Sequence, residues 1–154
     1  PGKSRGRRLT ETGRARVLGR SVPVLGDIAA GMPIIAHEGD GTDLVQDITG
    51  RGDFALRVQG DSMKGADMHN GDRVILRCQN IADRGDIVAV LISDFETEAT
   101  LKGYPEDDHV RFVPANEAYD EIVIAHDSDQ QWEILGKMVG LVRFTAGQMP
   151  EAFA

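Results

Sequence analysis

Short apolar runs, each closed by a turn former, constrain this chain more than any other feature. They fall at Val22–Leu25, Phe54–Gln59, Arg73–Cys78, Ile87–Ile92, Glu98–Leu101, Val110–Val113, Ile122–Ile124, Trp132–Leu135 and Lys137–Phe144. Asn70-Gly71-Asp72, Arg84-Gly85-Asp86 and Pro114-Ala115-Asn116 are typical of the punctuation between them. Runs of this length between Gly, Asp, Asn and Pro suit strands joined by turns. No segment holds a helical period beyond about two turns, and the nearest, Ser62–Met68, directly follows a predicted strand. The expected fold is therefore mainly β, with curled antiparallel sheets or a partly open barrel. Val22-Pro23-Val24-Leu25 is predicted as an edge strand, because proline cannot donate to a ladder. Phe54–Gln59 and Glu133–Leu135 alternate in part, as half-buried strands do.

Composition narrows the class. A chain of 154 residues, 41% of them apolar, is large enough for one domain with a real core. No apolar run approaches the roughly 18–20 residues of a membrane span. The single cysteine, Cys78, cannot form an internal disulfide, which fits a reducing cytoplasm, and it is predicted to pack within its strand. His37, His69, His109 and His126 are scattered and read as surface or edge residues, so neither a metal nor a cofactor is expected. Met63 and Met68 are expected to pack, as is Trp132 beneath the last strands.

The net charge of −8 hides an asymmetry. Residues 1–20 hold seven Lys/Arg against one acid, Glu11, a balance of +6, and residues 21–154 carry −14. An acidic body repels phosphate backbones, so any nucleic-acid contact of this chain falls to the basic arm. Within the arm, Pro1–Thr10 reads either as a Gly-rich turn entering a short basic strand, like the wing of a winged-helix DNA-binding domain, or as a plain solvated linker. The expected organisation is a basic arm over residues 1–21, a body over 22–146 and a tail over 147–154.

Three places can carry chemistry. Ser62 stands in Gly60-Asp61-Ser62-Met63, where a glycine closes a strand and a serine opens a short helix. A hydroxyl there is accessible, and amides at a helix start can hydrogen-bond a developing oxyanion. The same position suits a serine that only caps the helix. In Thr100-Leu101-Lys102, Thr100 and Lys102 share one strand face. If that face points inward, burial disfavours the ammonium and frees an amine to act as a base; if outward, Lys102 is an ordinary surface lysine. Ala29-Ala30-Gly31-Met32-Pro33 places small residues on both sides of a bond, which lets backbone enter a narrow cleft, and Pro33 biases Met32 toward an extended conformation. It reads equally as a flexible turn.

Taken in order, Gly26–Pro33, Phe54–Met63, Asn70-Gly71-Asp72, Gly85–Val90 and Thr100-Leu101-Lys102 resemble the self-cleaving LexA / UmuD / phage-repressor family. Phe112–Asn116 is similar to that family's leucine-proline-glutamate-asparagine stretch, and Gly136–Arg143 to its final strand, so the resemblance spans about residues 22–144. It implies the LexA-type C-terminal peptidase fold and a serine endopeptidase with a Ser-Lys dyad. Ser62 would be the nucleophile and Lys102 the general base, then acid. The backbone amides of Ser62 and Asp61 would form the oxyanion hole, and the Ala30–Gly31 bond would be cut in cis. Implied partners are the RecA filament on single-stranded DNA, a second copy in a homodimer formed through the C-terminal strands, and operator DNA bound through an N-terminal domain largely absent from this chain. The implied role is an SOS repressor of DNA-damage genes. A UmuD-like self-processing subunit of a translesion polymerase fits an arm of this length. The wing-like arm and the missing initiator Met favour the repressor fragment. A module that only dimerises is a third reading, disfavoured because both Ser62 and Lys102 are present.

Overall fold

The computed structural model describes residues 20–28, 43–93, 97–104 and 109–145. Residues 1–19 of the arm, the Ala30–Gly31 bond, His37 and the tail lie outside the described residues. The fold is mainly β, a strongly curled half-barrel. Its strands are β1 (Arg20–Ile28), β2 (Leu44–Asp47), β3 (Phe54–Val58), β4 (Arg73–Cys78), β5 (Ile87–Ser93), β6 (Thr97–Gly103), β7 (Val110–Phe112), β8 (Ile122–Ile124) and β9 (Gln131–Val142). Seven form one sheet in the order β2-β1-β3-β4-β9-β5-β6, and β7 pairs with β8 in a separate hairpin. No helix among the described residues is long and apolar enough to cross a membrane.

The strand signals locate most of these elements, with instructive departures. β1 lies inside the sheet, not at the expected edge. Arg20–Pro23 pair antiparallel with β2, and the strand then runs parallel to β3, from Val24 opposite Ala55 to Ile28 opposite Val58. Pro23 is tolerated because it stands where the strand exchanges one neighbour for the other. β3, expected to be half-buried, is covered on both faces, with only Arg57 partly open. The two final runs are one strand, β9, continuing through Gly136. A Cβ at that position would meet the Arg77 carbonyl at 2.8 Å and the Phe54 ring at 3.2 Å, so the glycine serves close packing and not a turn.

β2 escaped the sequence reading because its inward positions are Val45 and Asp47, and a carboxylate breaks the apolar alternation. Asp47 is fully buried. Burial opposes its charge, but hydrogen bonds from the Thr49 hydroxyl and from the Gly52, Thr49 and Gly50 amides hold it below the ordinary 3.8. Cys78 also departs from expectation: it is exposed at the end of β4.

The curl decides where the site forms. From β3 to β6 are four strand spacings, about 19 Å in a flat sheet. β9 carries register shifts against both neighbours, opposite Ile75/Leu76 of β4 and Ala89/Val90 of β5. Such bulges increase local twist and bend the sheet. As a result β1 comes beside β6, although three strands of the sheet separate β3 from β6. The hollow is filled by Leu56, Val58, Met63, Met68, Val74, Leu76, Ala89 and Leu101. Phe112 of the hairpin is buried against Val88, Val90 and Ile134, with Trp132 edge-on to its ring at 5.6 Å.

Candidate active site

Ser62 follows β3 on a tight loop. The expected helix is only a 3₁₀ turn, Lys64–Ala66, whose capping residue is Met63 and not Ser62. Ser62 therefore caps nothing, and its hydroxyl is available for another partner. Met63 and Met68, fully or nearly buried, pin the loop to the core on either side. The Asp61 carbonyl accepts the Lys64 amide at 3.0 Å. The amides of Asp61, Ser62 and Met63 donate to no other group among the described residues.

Lys102, on β6, is 6% exposed. Its Nζ donates to Ser62 Oγ at 3.3 Å, Thr100 Oγ1 at 2.6 Å and the Leu101 carbonyl at 2.9 Å. The structure thus brings together two side chains forty positions apart, and it places Thr100 on the shared face of the strand as the alternation requires. Thr100 itself was not expected at the site. Its signal was its place two residues before Lys102.

Two further groups brace the Ser62 loop. From the β7–β8 connection, the Asn116 side-chain amide donates to the Asp61 carbonyl at 3.0 Å, and the Tyr119 hydroxyl to the Asp61 carboxylate at 2.6 Å. Asp61 in turn holds the Tyr119 hydroxyl above its ordinary 10.0. The Gly65 amide donates to the Ala115 carbonyl at 2.6 Å, and a Cβ on Gly65 would lie 2.5 Å from that oxygen. Asn116 belonged to a stretch quoted for its family resemblance; Tyr119 carried no sequence signal.

On the far side, Asp72, 2% exposed, accepts both Nε and an Nη of Arg143 at 2.8 Å and the His69 amide at 2.7 Å. The Arg143 guanidinium keeps the Asp72 carboxyl below 3.8 against the cost of burial. Asp86 is bridged to Lys137 at 2.7 Å; burial works against its charge, but this partner and the Asp83 amide keep it below 3.8. His69, His109 and His126 are exposed, as expected. Among the described residues, no three His, Cys, Asp or Glu side chains converge to hold a metal.

A serine hydroxyl within reach of a buried amine, beside backbone amides that donate to nothing among the described residues, is an arrangement suited to acyl transfer. Comparison with known proteins points the same way. Residues 23–139, which include Ser62 and Lys102, match the family model described as Peptidase S24-like. Over 127 residues the chain is 47% identical to LexA repressor 1 of Nocardia farcinica, covering 80% of this chain and 55% of that protein. It is 42% identical to the LexA repressor of Caldicellulosiruptor saccharolyticus over 79% of this chain and 58% of that one. It is 37% identical to the LexA repressor of Myxococcus xanthus, over 95% and 72% respectively. The chain spans just over half the length of the first two relatives. On the matched stretch and the similarity to these repressors, the chain belongs to the Peptidase S24-like family.

Proposed function

We propose that this chain is the self-cleaving part of a LexA-type repressor and that it hydrolyses its own Ala30–Gly31 bond. The observation that carries the reading is the 3.3 Å contact between Ser62 Oγ and the Nζ of buried Lys102. Removing an amine from water favours its neutral form, which can accept a proton. Ser62 Oγ attacks the Ala30 carbonyl carbon as its proton passes to Lys102 Nζ. The oxyanion is met by the amides of Ser62 and Asp61. Collapse breaks the C–N bond, and Lys102 returns the proton to the Gly31 amine. Water, deprotonated by Lys102, then hydrolyses the acyl ester and restores Ser62.

The register of β1 supports cleavage in cis. Ile28 pairs in parallel with Val58, so Ala30 is two residues beyond one anchor and Ser62 four beyond the other. Two residues reach at most about 7 Å and four at most about 14 Å, and paired strands lie about 4.8 Å apart, so the chain is long enough for this bond to meet the hydroxyl of the same molecule.

In this reading cleavage separates a DNA-binding portion, bound to operator DNA, from a dimerising body. The RecA filament on single-stranded DNA favours the docked bond, a shift of population between two arrangements of one loop. The names of the relatives favour a repressor over a UmuD-like polymerase subunit. The test is incubation of the purified chain from pH 7 to 10 with mass measurement of the products. Two fragments split between Ala30 and Gly31, appearing faster at alkaline pH, support the proposal; an intact chain, or a rate flat across that range, refutes it.

A further inference from the structure

The β7–β8 connection hydrogen-bonds to chain neighbours of both Ser62 and Lys102. At its start, Val113 exchanges two backbone hydrogen bonds with Gly103, at 2.8 and 2.9 Å, directly after Lys102. At its middle and end, Ala115, Asn116 and Tyr119 grip Gly65 and Asp61 on either side of Ser62. The connection is itself stiffened: Asn116 Oδ1 accepts the Ala118 amide at 2.9 Å, and the Asn116 carbonyl accepts the Tyr119 amide at 3.1 Å. Buried Phe112 roots it in the second core cluster.

We infer that Val113–Tyr119 is a clamp that sets the separation of Ser62 and Lys102, with Asn116 and Tyr119 as positioning residues. β6 and the Ser62 loop belong to distant parts of the sheet order, and this segment hydrogen-bonds to both. Asn116 is the stronger half, because its bond fixes the backbone of the residue preceding Ser62. Tyr119 holds an exposed carboxylate and contributes less. The consequence for rate rests on the peptidase reading, since an error of about 1 Å in the placement of a nucleophile costs on the order of 10²-fold.

The full chain is tested as Asn116→Ala and Tyr119→Phe. Neither substitution alters charge at neutral pH. The charged residues on adjoining elements, Asp61, Lys64, Asp86 and Lys137, are retained. Two quantities are read: the self-cleavage rate against pH, and the Lys102 titration midpoint by NMR of ¹³Cε-labelled lysine. In Asn116→Ala the alkaline plateau should fall about 10- to 100-fold. The Lys102 midpoint should fall too, because a displaced Ser62 no longer accepts a hydrogen bond from the ammonium. Tyr119→Phe, which removes one exposed hydroxyl, should slow cleavage about threefold and guards against misfolding of the first variant. A merely structural role would lower the folded fraction and leave the midpoint in place. A midpoint that stays or rises in Asn116→Ala, or a variant that cleaves at the wild-type rate, overturns the clamp. A wild-type chain that never cleaves, with a midpoint that still falls in Asn116→Ala, leaves the clamp standing and removes the peptidase reading.

Discussion

The segment between β3 and β4 has two halves held by different physics. Residues 59–66, which carry Ser62, are held by hydrogen bonds from the Asn116 and Tyr119 side chains and by one from the Gly65 amide to the Ala115 carbonyl. Residues 67–72 are held by charge: Arg143 forks onto buried Asp72 and donates to the Asp67 carbonyl at 2.8 Å, while Asp67 adopts a left-handed backbone with φ 56°. Carboxylate and guanidinium both stay charged from about pH 5 to pH 11, so the second half is indifferent to the alkaline conditions that neutralise a lysine. On the proposed reading the first half sets the geometry of Ser62 and Lys102, while the second contributes stability. Reactivity should therefore respond on the alkaline side and stability on the acid side.

Five experiments can break or sharpen that division. The largest effect falls on the reacting pair: Ser62→Ala or Lys102→Ala should reduce self-cleavage by at least about 10³-fold, measured by fragment mass over time, with little loss of melting temperature for Ser62→Ala. Next, Asp72→Ala removes three charge-assisted hydrogen bonds and should lower unfolding free energy by about 2–3 kcal/mol in a urea titration. The cleavage rate per folded molecule should change far less; a loss as large as that of Asn116→Ala would erase the distinction between the halves.

The same carboxylates set the acid limit. Asp47, Asp72 and Asp86 are all held below the ordinary 3.8 in the folded state, so each contributes stability that is fully present above 3.8 and is lost as pH falls from there through the lowered folded-state value. A stability curve that falls toward alkaline pH instead, by denaturant titration from pH 3 to 9, would contradict this. Smaller still, Gly65→Ala sets a Cβ against the Ala115 carbonyl and should slow cleavage about tenfold by parting the clamp from the Ser62 loop. The smallest effect is expected at exposed Cys78, at the opposite end of β4 from Asp72: alkylation with iodoacetamide should leave the cleavage rate unchanged.

Much of the fold was legible because its strands are dense in apolar residues. Arg73–Cys78 and Ile122–Ile124 were bounded as observed, since turn formers flank them closely. Legibility failed where a polar or small residue does a strand's work. Asp47 hid β2, Gly136 divided β9, and Pro23 suggested an edge that β1 does not occupy. Cys78 looked apolar in composition and lies in solvent, because β4 outruns its cover.

By itself, the sequence determined the strand-rich class, the acidic body and the presence of a serine after one strand and a lysine on another, because alternation and turn chemistry are local. Only the tertiary structure decided that Lys102 points inward, that Asn116 and Tyr119 grip the loop before Ser62, and that Arg143 answers Asp72. These depend on how far a sheet curls, which is the sum of twist and bulges over many strands and leaves no mark on any one of them.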